Sequence, residues 1–125
     1  MVIYIGALAY LCFGHFSNVP DLGRKLLGLD QDKIFHFCMF FPFPILTYFS
    51  YGRRFSNPWK AILFILVTFL IGSAMGGSTE IIQGMTTWRS ADPKDFLADA
   101  VGVASASLLT FVFILVRETR KASGR

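Results

Sequence analysis

"TEIIQGMTTWRSADPKDFLAD", Thr79 to Asp99, sets Glu80, Arg89, Asp92, Lys94, Asp95 and Asp99 between two of the most apolar segments of the chain. The protein has 125 residues, 54% of them hydrophobic and only 16% charged, with a mean hydropathy of +0.53. A soluble domain of this length needs more polar residues to cover its surface. The charges are bunched, which leaves four apolar stretches: about Met1–Phe16, Ile34–Tyr51, Trp59–Ile82 and Phe96–Val116. A helix crosses the hydrocarbon core with about 20 residues. The pattern therefore predicts an all-α, polytopic membrane protein, one transmembrane domain over residues 1–125. Its expected form is a bundle of about four helices at roughly 1–17, 32–51, 58–83 and 93–117. The first stretch lacks a basic leader, its first charge being Asp21, and "GHFSNVP" is a poor cleavage site. It reads as a short membrane helix rather than a signal peptide.

Cys12 and Cys38 both fall in apolar segments and read as buried thiols. The net charge of +4 does not indicate nucleic acid, because the basic residues gather at the ends of the apolar segments. Lys and Arg flanking the spans set orientation. Arg53, Arg54, Lys60, Arg117, Arg120, Lys121 and Arg125 lie on one side, against Arg24, Lys25, Lys33, Arg89 and Lys94 on the other. The excess predicts a multi-pass cell-membrane protein with both termini cytoplasmic. All acids except Glu118 then fall on the outer side. Acids contribute little to topology, so their crowding has another cause.

Some of those acids are helix punctuation. Asp92-Pro93-Lys94-Asp95 is a helix start: Asp92 can cap, Pro93 suits the first helical position, and Asp95 favours the dipole. Asp30 and Asp32 can serve the second segment in the same way. Glu80, Asp99 and His36 resist this explanation. Glu80 sits near the C-terminal end of its helix, where a negative charge opposes the dipole. Asp99 lies roughly 10 Å into the fourth helix at 1.5 Å per residue, and His36 is about as deep in the second. An acid at the centre of a membrane helix costs about 2.5–3.5 kcal/mol, and such groups usually face the bundle interior or a wet cavity.

Periodicity lets these groups meet. Gly72, Gly76 and Glu80 share one face of the third helix, and Asp95, Asp99 and Gly102 share a face of the fourth with Ala98 and Ala106. Small residues at this spacing admit close helix approach. Antiparallel packing along them predicts Glu80 beside Asp95 and Asp99. Phe41-Pro42-Phe43-Pro44 breaks the hydrogen-bond ladder of the second segment, so carbonyls freed there need partners in protein or water.

Asp32, Glu80, Asp92, Asp95 and Asp99 outnumber Lys33, Arg89 and Lys94 by two. Neighbouring carboxylates in a poorly hydrated pocket share a proton or recruit a cation, and protonated His36 or His15 is another neutraliser. Coupled groups of this kind serve acid–base chemistry, and also proton relays and metal sites. The candidate catalytic residues are Glu80 and His36 as acid–base groups, with Asp95 and Asp99 orienting partners or binding a cation. Lys33 and Arg89 are candidates to hold an anionic group, and Trp88 an aromatic or sugar face, although interfacial Trp also serves as an anchor. No metal ion or other cofactor is assigned, although imidazole with carboxylates is donor chemistry suited to zinc or manganese. HExxH, GxSxG, phosphate-loop and CxxC signatures are all lacking, so a site is marked without a reaction being named.

"DKIFHF" at Asp32–Phe37, followed by Glu80-x-x-Gln83, Arg89, Asp92, Asp95 and Gly102, resembles the VanZ-like family of bacterial membrane proteins. The correspondence runs from about Ser17 to Ala106. By that resemblance Asp32, Lys33, His36, Glu80, Gln83, Arg89, Asp92, Asp95 and Gly102 take the family positions, which adds Gln83 and Asp32 to the ligand-binding candidates. Asp99 stands where the family has Asn, and Ala106 where it has a later glycine. The resemblance implies a cell-envelope role, its founding member being associated with low-level teicoplanin resistance. It implies a lipid-linked or glycan envelope ligand, beside the lipid bilayer itself. Three readings stay open: an envelope enzyme acting at the outer boundary on a lipid-linked or sugar-bearing substrate, a non-catalytic binding or scaffolding protein whose polar cluster is structural or engages an envelope ligand, and a small proton- or ion-conducting bundle.

Overall fold

The computed structural model describes residues 1–13, 25–26, 29–51, 55, 57–87 and 91–124. Its elements run α1 (Val2–Phe13), β1 (Lys25–Leu26), β2 (Leu29–Asp30), α2 (Gln31–Phe40), α3 (Pro42–Tyr51), α4 (Pro58–Gly84) and α5 (Pro93–Ser123). The architecture is a helical bundle. Its small addition, β1 paired antiparallel with β2 in the register Lys25↔Asp30 and Leu26↔Leu29, was not foreseen from sequence.

Among the described residues, three segments are long and apolar enough to cross a membrane: Lys33–Tyr51, Pro58–Gly84 and Pro93–Ser123. Their outer faces carry Leu63, Leu66, Leu70, Leu97, Leu108 and Leu109 exposed, as lipid-facing surface requires. The chain is thus a multi-pass membrane protein. The described part of the first segment is a short helix, as its sequence suggested. Its described helix, α1, has 12 residues, or about 18 Å at 1.5 Å per residue, against a hydrocarbon core of about 30 Å.

The helix ends follow local chemistry. Asn57 caps α4 by accepting a hydrogen bond from the Trp59 N–H at 3.0 Å, with Pro58 at the first position. Asp92 does the same for α5 through the Lys94 N–H at 2.9 Å, ahead of Pro93, as the sequence indicated. At its other end α5 continues past residue 117, through Arg120 and Lys121, to a stop at Gly124, whose N–H bonds the Arg120 carbonyl. Good helix formers carry it past the membrane edge, and basic residues in the last turn suit its dipole.

The expected break is real. Pro42 and Pro44 supply no N–H, and α2 gives way to α3 at Phe41. Beside the break, the Tyr4 hydroxyl of α1 donates to the Met39 carbonyl, and the Tyr4 ring stacks near Phe43 at 6.5 Å between centroids. α1 thus supports the second span at its weakest point.

α5 is the central helix and packs against α2, α3 and α4. Two apolar clusters fill the bundle. One comprises Leu8, Cys12, Phe40 and Val103, and the other Tyr48, Ala61 and Ile114 with Phe55, Phe64 and Ile65 around them. Of the two cysteines expected to be buried, Cys12 is and Cys38 is exposed.

Candidate functional site

The α4–α5 seam is antiparallel and close. A Cβ built on Gly72 would lie 2.8 Å from a methyl of Val103, and one on Gly76 would lie 2.9 Å from the Cβ of Asp99 and 3.1 Å from its Oδ2. Real side chains do not approach so near, so glycine is required at both positions. The two contacts fix a register in which Glu80 comes level with Asp95. On another flank of α5, a Cβ on Gly102 would lie 2.8 Å from the Phe37 carbonyl oxygen. The backbone of α2 therefore rests directly on α5 one residue beyond His36. The sequence placed Gly102 in the α4 seam; it serves the α2 seam instead.

Three close-packed helices thus bring their polar groups together in one buried cluster, called the chamber below. The His36 Nδ1 lies 2.8 Å from Asp99 Oδ1 and 3.8 Å from Glu80 Oε1, and its Nε2 lies 3.8 Å from Asp95 Oδ2. These residues are almost wholly shut off: His36 is 2% exposed, Glu80 7%, Asp95 6% and Asp99 0%. Lys33, one helical turn before His36, stands at the rim with Nζ 3.6 Å from Asp92 Oδ2 and 3.7 Å from Asp95 Oδ1. Beneath the chamber, one turn deeper along α5, Val103 belongs to the apolar cluster with Phe40, Leu8 and Cys12. The polar cluster therefore has Lys33 at its edge and an apolar layer beneath it.

The position of Glu80, unfavourable within its own helix, is explained by a neighbour. Its Oε2 accepts the backbone N–H of Asp92 at 3.1 Å, the N-cap residue of α5. The start of α5 carries unsatisfied N–H groups and the positive end of a helix dipole, so α5 stabilises the charge that α4 disfavours. The sequence showed Asp92 as a cap but gave no sign of this second role. The Asp92 carboxyl lies at the mouth, outside the spans. It is held below its usual range first by the Lys94 N–H and then by the charge of Lys33.

Two buried carboxylate oxygens, Glu80 Oε1 and Asp99 Oδ2, accept no hydrogen bond among the described residues. Buried polar atoms of this kind are uncommon and mark strain, function or a missing guest. Taken together, His36, Glu80 and Asp95 each offer one donor atom, and these atoms lie within 4.8 Å of one another.

Of the sequence candidates, His36, Glu80, Asp95, Asp99 and Lys33 are brought together. Gln83 is buried but engaged elsewhere: its Nε2 donates to the Cys12 carbonyl at 2.9 Å and ties α4 to α1. Trp88, Arg89 and His15 lie outside the described residues, as does the side chain of Asp32, whose backbone is in the first turn of α2. Deeper along the seam the buried polar groups are the hydroxyls of Thr68, Ser107 and Thr110, and Thr110 donates back to the Ala106 carbonyl. No protein-family profile, curated protein or solved structure matches this chain.

Proposed function

We propose that this chain is a cell-envelope membrane protein of the VanZ-like kind, whose chamber opens on the extracytoplasmic side and takes an anionic group of a lipid-linked or glycan ligand. The carrying observation is the convergence of His36, Glu80, Asp95 and Asp99, from three helices, behind the ammonium group of Lys33 at one edge of the bundle. Burying such groups costs several kcal/mol that packing alone would not require. Lys33 attracts the anionic part of the ligand, and His36 with Glu80 forms the acid–base pair within reach of it. The excess of Lys and Arg in the 51–60 link and the C-terminal tail, away from the chamber, supports the outward orientation and a cytoplasmic C-terminus. By the family resemblance, expression is expected to lower susceptibility to teicoplanin.

The scaffold reading is favoured by one contact. His36 and Asp99 meet at 2.8 Å with Asp99 fully buried, a geometry that would fasten α2 to α5 without any ligand. Binding of a polyprenyl-phosphate-linked sugar to the full chain in lipid nanodiscs separates the two. The ligand reading expects saturable binding, weakened about tenfold or more by Lys33→Met and by Glu80→Gln in protein of unchanged helix content. If the folded wild type does not bind, or binds no better than these variants, the scaffold reading stands.

A further inference from the structure

The charge and donor pattern of the chamber carries a more specific conclusion. Glu80, Asp95 and Asp99 are three buried carboxylates. Among the described residues the cation nearest them, apart from the imidazole, is Lys33 at the rim. With His36 neutral, the group is left two negative charges in excess, in a setting where water cannot screen them. A divalent cation would offset that excess.

The donor atoms suit one. Asp99 Oδ1 lies 2.8 Å from His36 Nδ1, close enough to hold a proton there and leave the Nε2 lone pair facing Asp95 Oδ2 at 3.8 Å. A carboxylate that fixes the far nitrogen of a ligating histidine is a recurrent outer partner in metal sites. Glu80 is similarly prepared, with Oε2 tied to the Asp92 N–H while Oε1 accepts no hydrogen bond and is buried. That second oxygen, more than nine-tenths buried with its residue, independently points to a missing guest. Two ligands at about 2.1 Å around a tetrahedral ion lie about 3.4 Å apart, so donors within 4.8 Å of one another must close by at most about 1.4 Å, which side-chain rotation can supply. A nitrogen donor beside two carboxylates favours a first-row transition ion over magnesium or calcium, which prefer oxygen alone.

We infer that His36, Glu80 and Asp95 bind a divalent transition-metal ion of the zinc or manganese type, with Asp99 as the positioning residue for His36. The inference rests on reading the chamber as a functional site, and it names the occupant rather than the substrate.

The full chain, purified with its affinity tag removed and stripped with chelator, is titrated with Zn2+ alone by calorimetry in nanodiscs. The expected result is one ion per chain. Glu80→Gln and Asp95→Asn should each abolish saturable binding, and Asp99→Asn should weaken it by about 10- to 100-fold. Mg2+ at the same concentration should not compete. A readout on the unaltered protein guards against variants that fail to fold: Co2+ added to wild type should give visible d–d bands of low-symmetry, partly nitrogen ligation. Failure of folded wild type to bind Zn2+, equal binding by the Glu80 and Asp95 variants, displacement by Mg2+, or the spectrum of aqueous Co2+ would each overturn the inference. These measurements contain no envelope ligand, so a metal-loaded protein that ignores the lipid-linked sugar would refute the proposed function alone.

Discussion

At one end of the α4–α5 seam, Glu80, Asp95, Asp99 and the His36 imidazole are closed in together. At the other, the Tyr48 ring meets Phe55, Phe64 and Phe113 at centroid distances of 6.4, 6.4 and 5.9 Å, and Ala61 abuts Ile114 in the same cluster. The aromatic end needs no special account, since in lipid, close van der Waals packing is what holds helices together. A strong polar contact there, from Arg117 Nη1 to the Tyr48 hydroxyl at 2.7 Å, lies where a basic tail leaves the bundle. The charged end does the reverse: it gathers groups that repel one another and keeps them from water. Rings and small residues pack one end, and a buried cluster of ionisable groups marks the other.

The largest expected effect comes from removing the base among the acids. His36→Ala should destabilise the fold by about 3–5 kcal/mol, because three buried carboxylates lose their shared partner. The matching change at the far end, Tyr48→Phe, should cost about 1 kcal/mol through the lost hydrogen bond to Arg117. Equal losses in a denaturing-detergent titration would erase the distinction between the ends. Gly102→Ala falls between them at about 1–3 kcal/mol, since its methyl must displace the α2 backbone at Phe37. Gly6→Ala is the control, with no atom within 4 Å of the added Cβ. It should be neutral or slightly stabilising, and a loss comparable to that of Gly102→Ala would discredit the close-approach explanation.

The smallest effect sharpens where the chamber ends. Asp92 has its pKa lowered by folding, so the native state binds fewer protons there than the unfolded chain. Its stabilising contribution is complete above the ordinary Asp value of about 3.9 and is lost as pH falls through the lower folded value. Glu80 from α4, through its bond to the Asp92 N–H, and Lys33 from α2 face this group. A 13C titration of the Asp92 carboxyl should give a midpoint below the ordinary value, moved upward by Lys33→Met. A midpoint unmoved by that change would detach Lys33 from the mouth.

Much of this was legible in the sequence because it depends on local pattern. Apolar runs gave α4 and α5, Asp92-Pro93 gave the start of α5, and the prolines gave the α2–α3 break. The meeting of Glu80 with Asp95 and Asp99 followed from the four-residue spacing of Gly72, Gly76 and Glu80, since stripes on antiparallel helices can be aligned before any coordinates exist. What escaped depended on contacts between distant segments. No spacing shows that the Asp92 N–H would hold Glu80, that Gln83 would turn toward the Cys12 carbonyl, or that Gly102 would receive α2 rather than α4.

The unbroken course of α4 from Ala61 to Glu80 makes the two ends a single mechanical piece. Each residue inserted in a helix turns everything beyond it by about 100°, so one extra alanine between Thr68 and Gly72 could not spare both. Either the carboxylate of Glu80 would swing out toward the acyl chains, or the helix would roll and pull Ala61 away from Ile114. Evolution can therefore vary the lipid-facing leucines freely, but it cannot change the number of residues between the two anchors without forfeiting one of them.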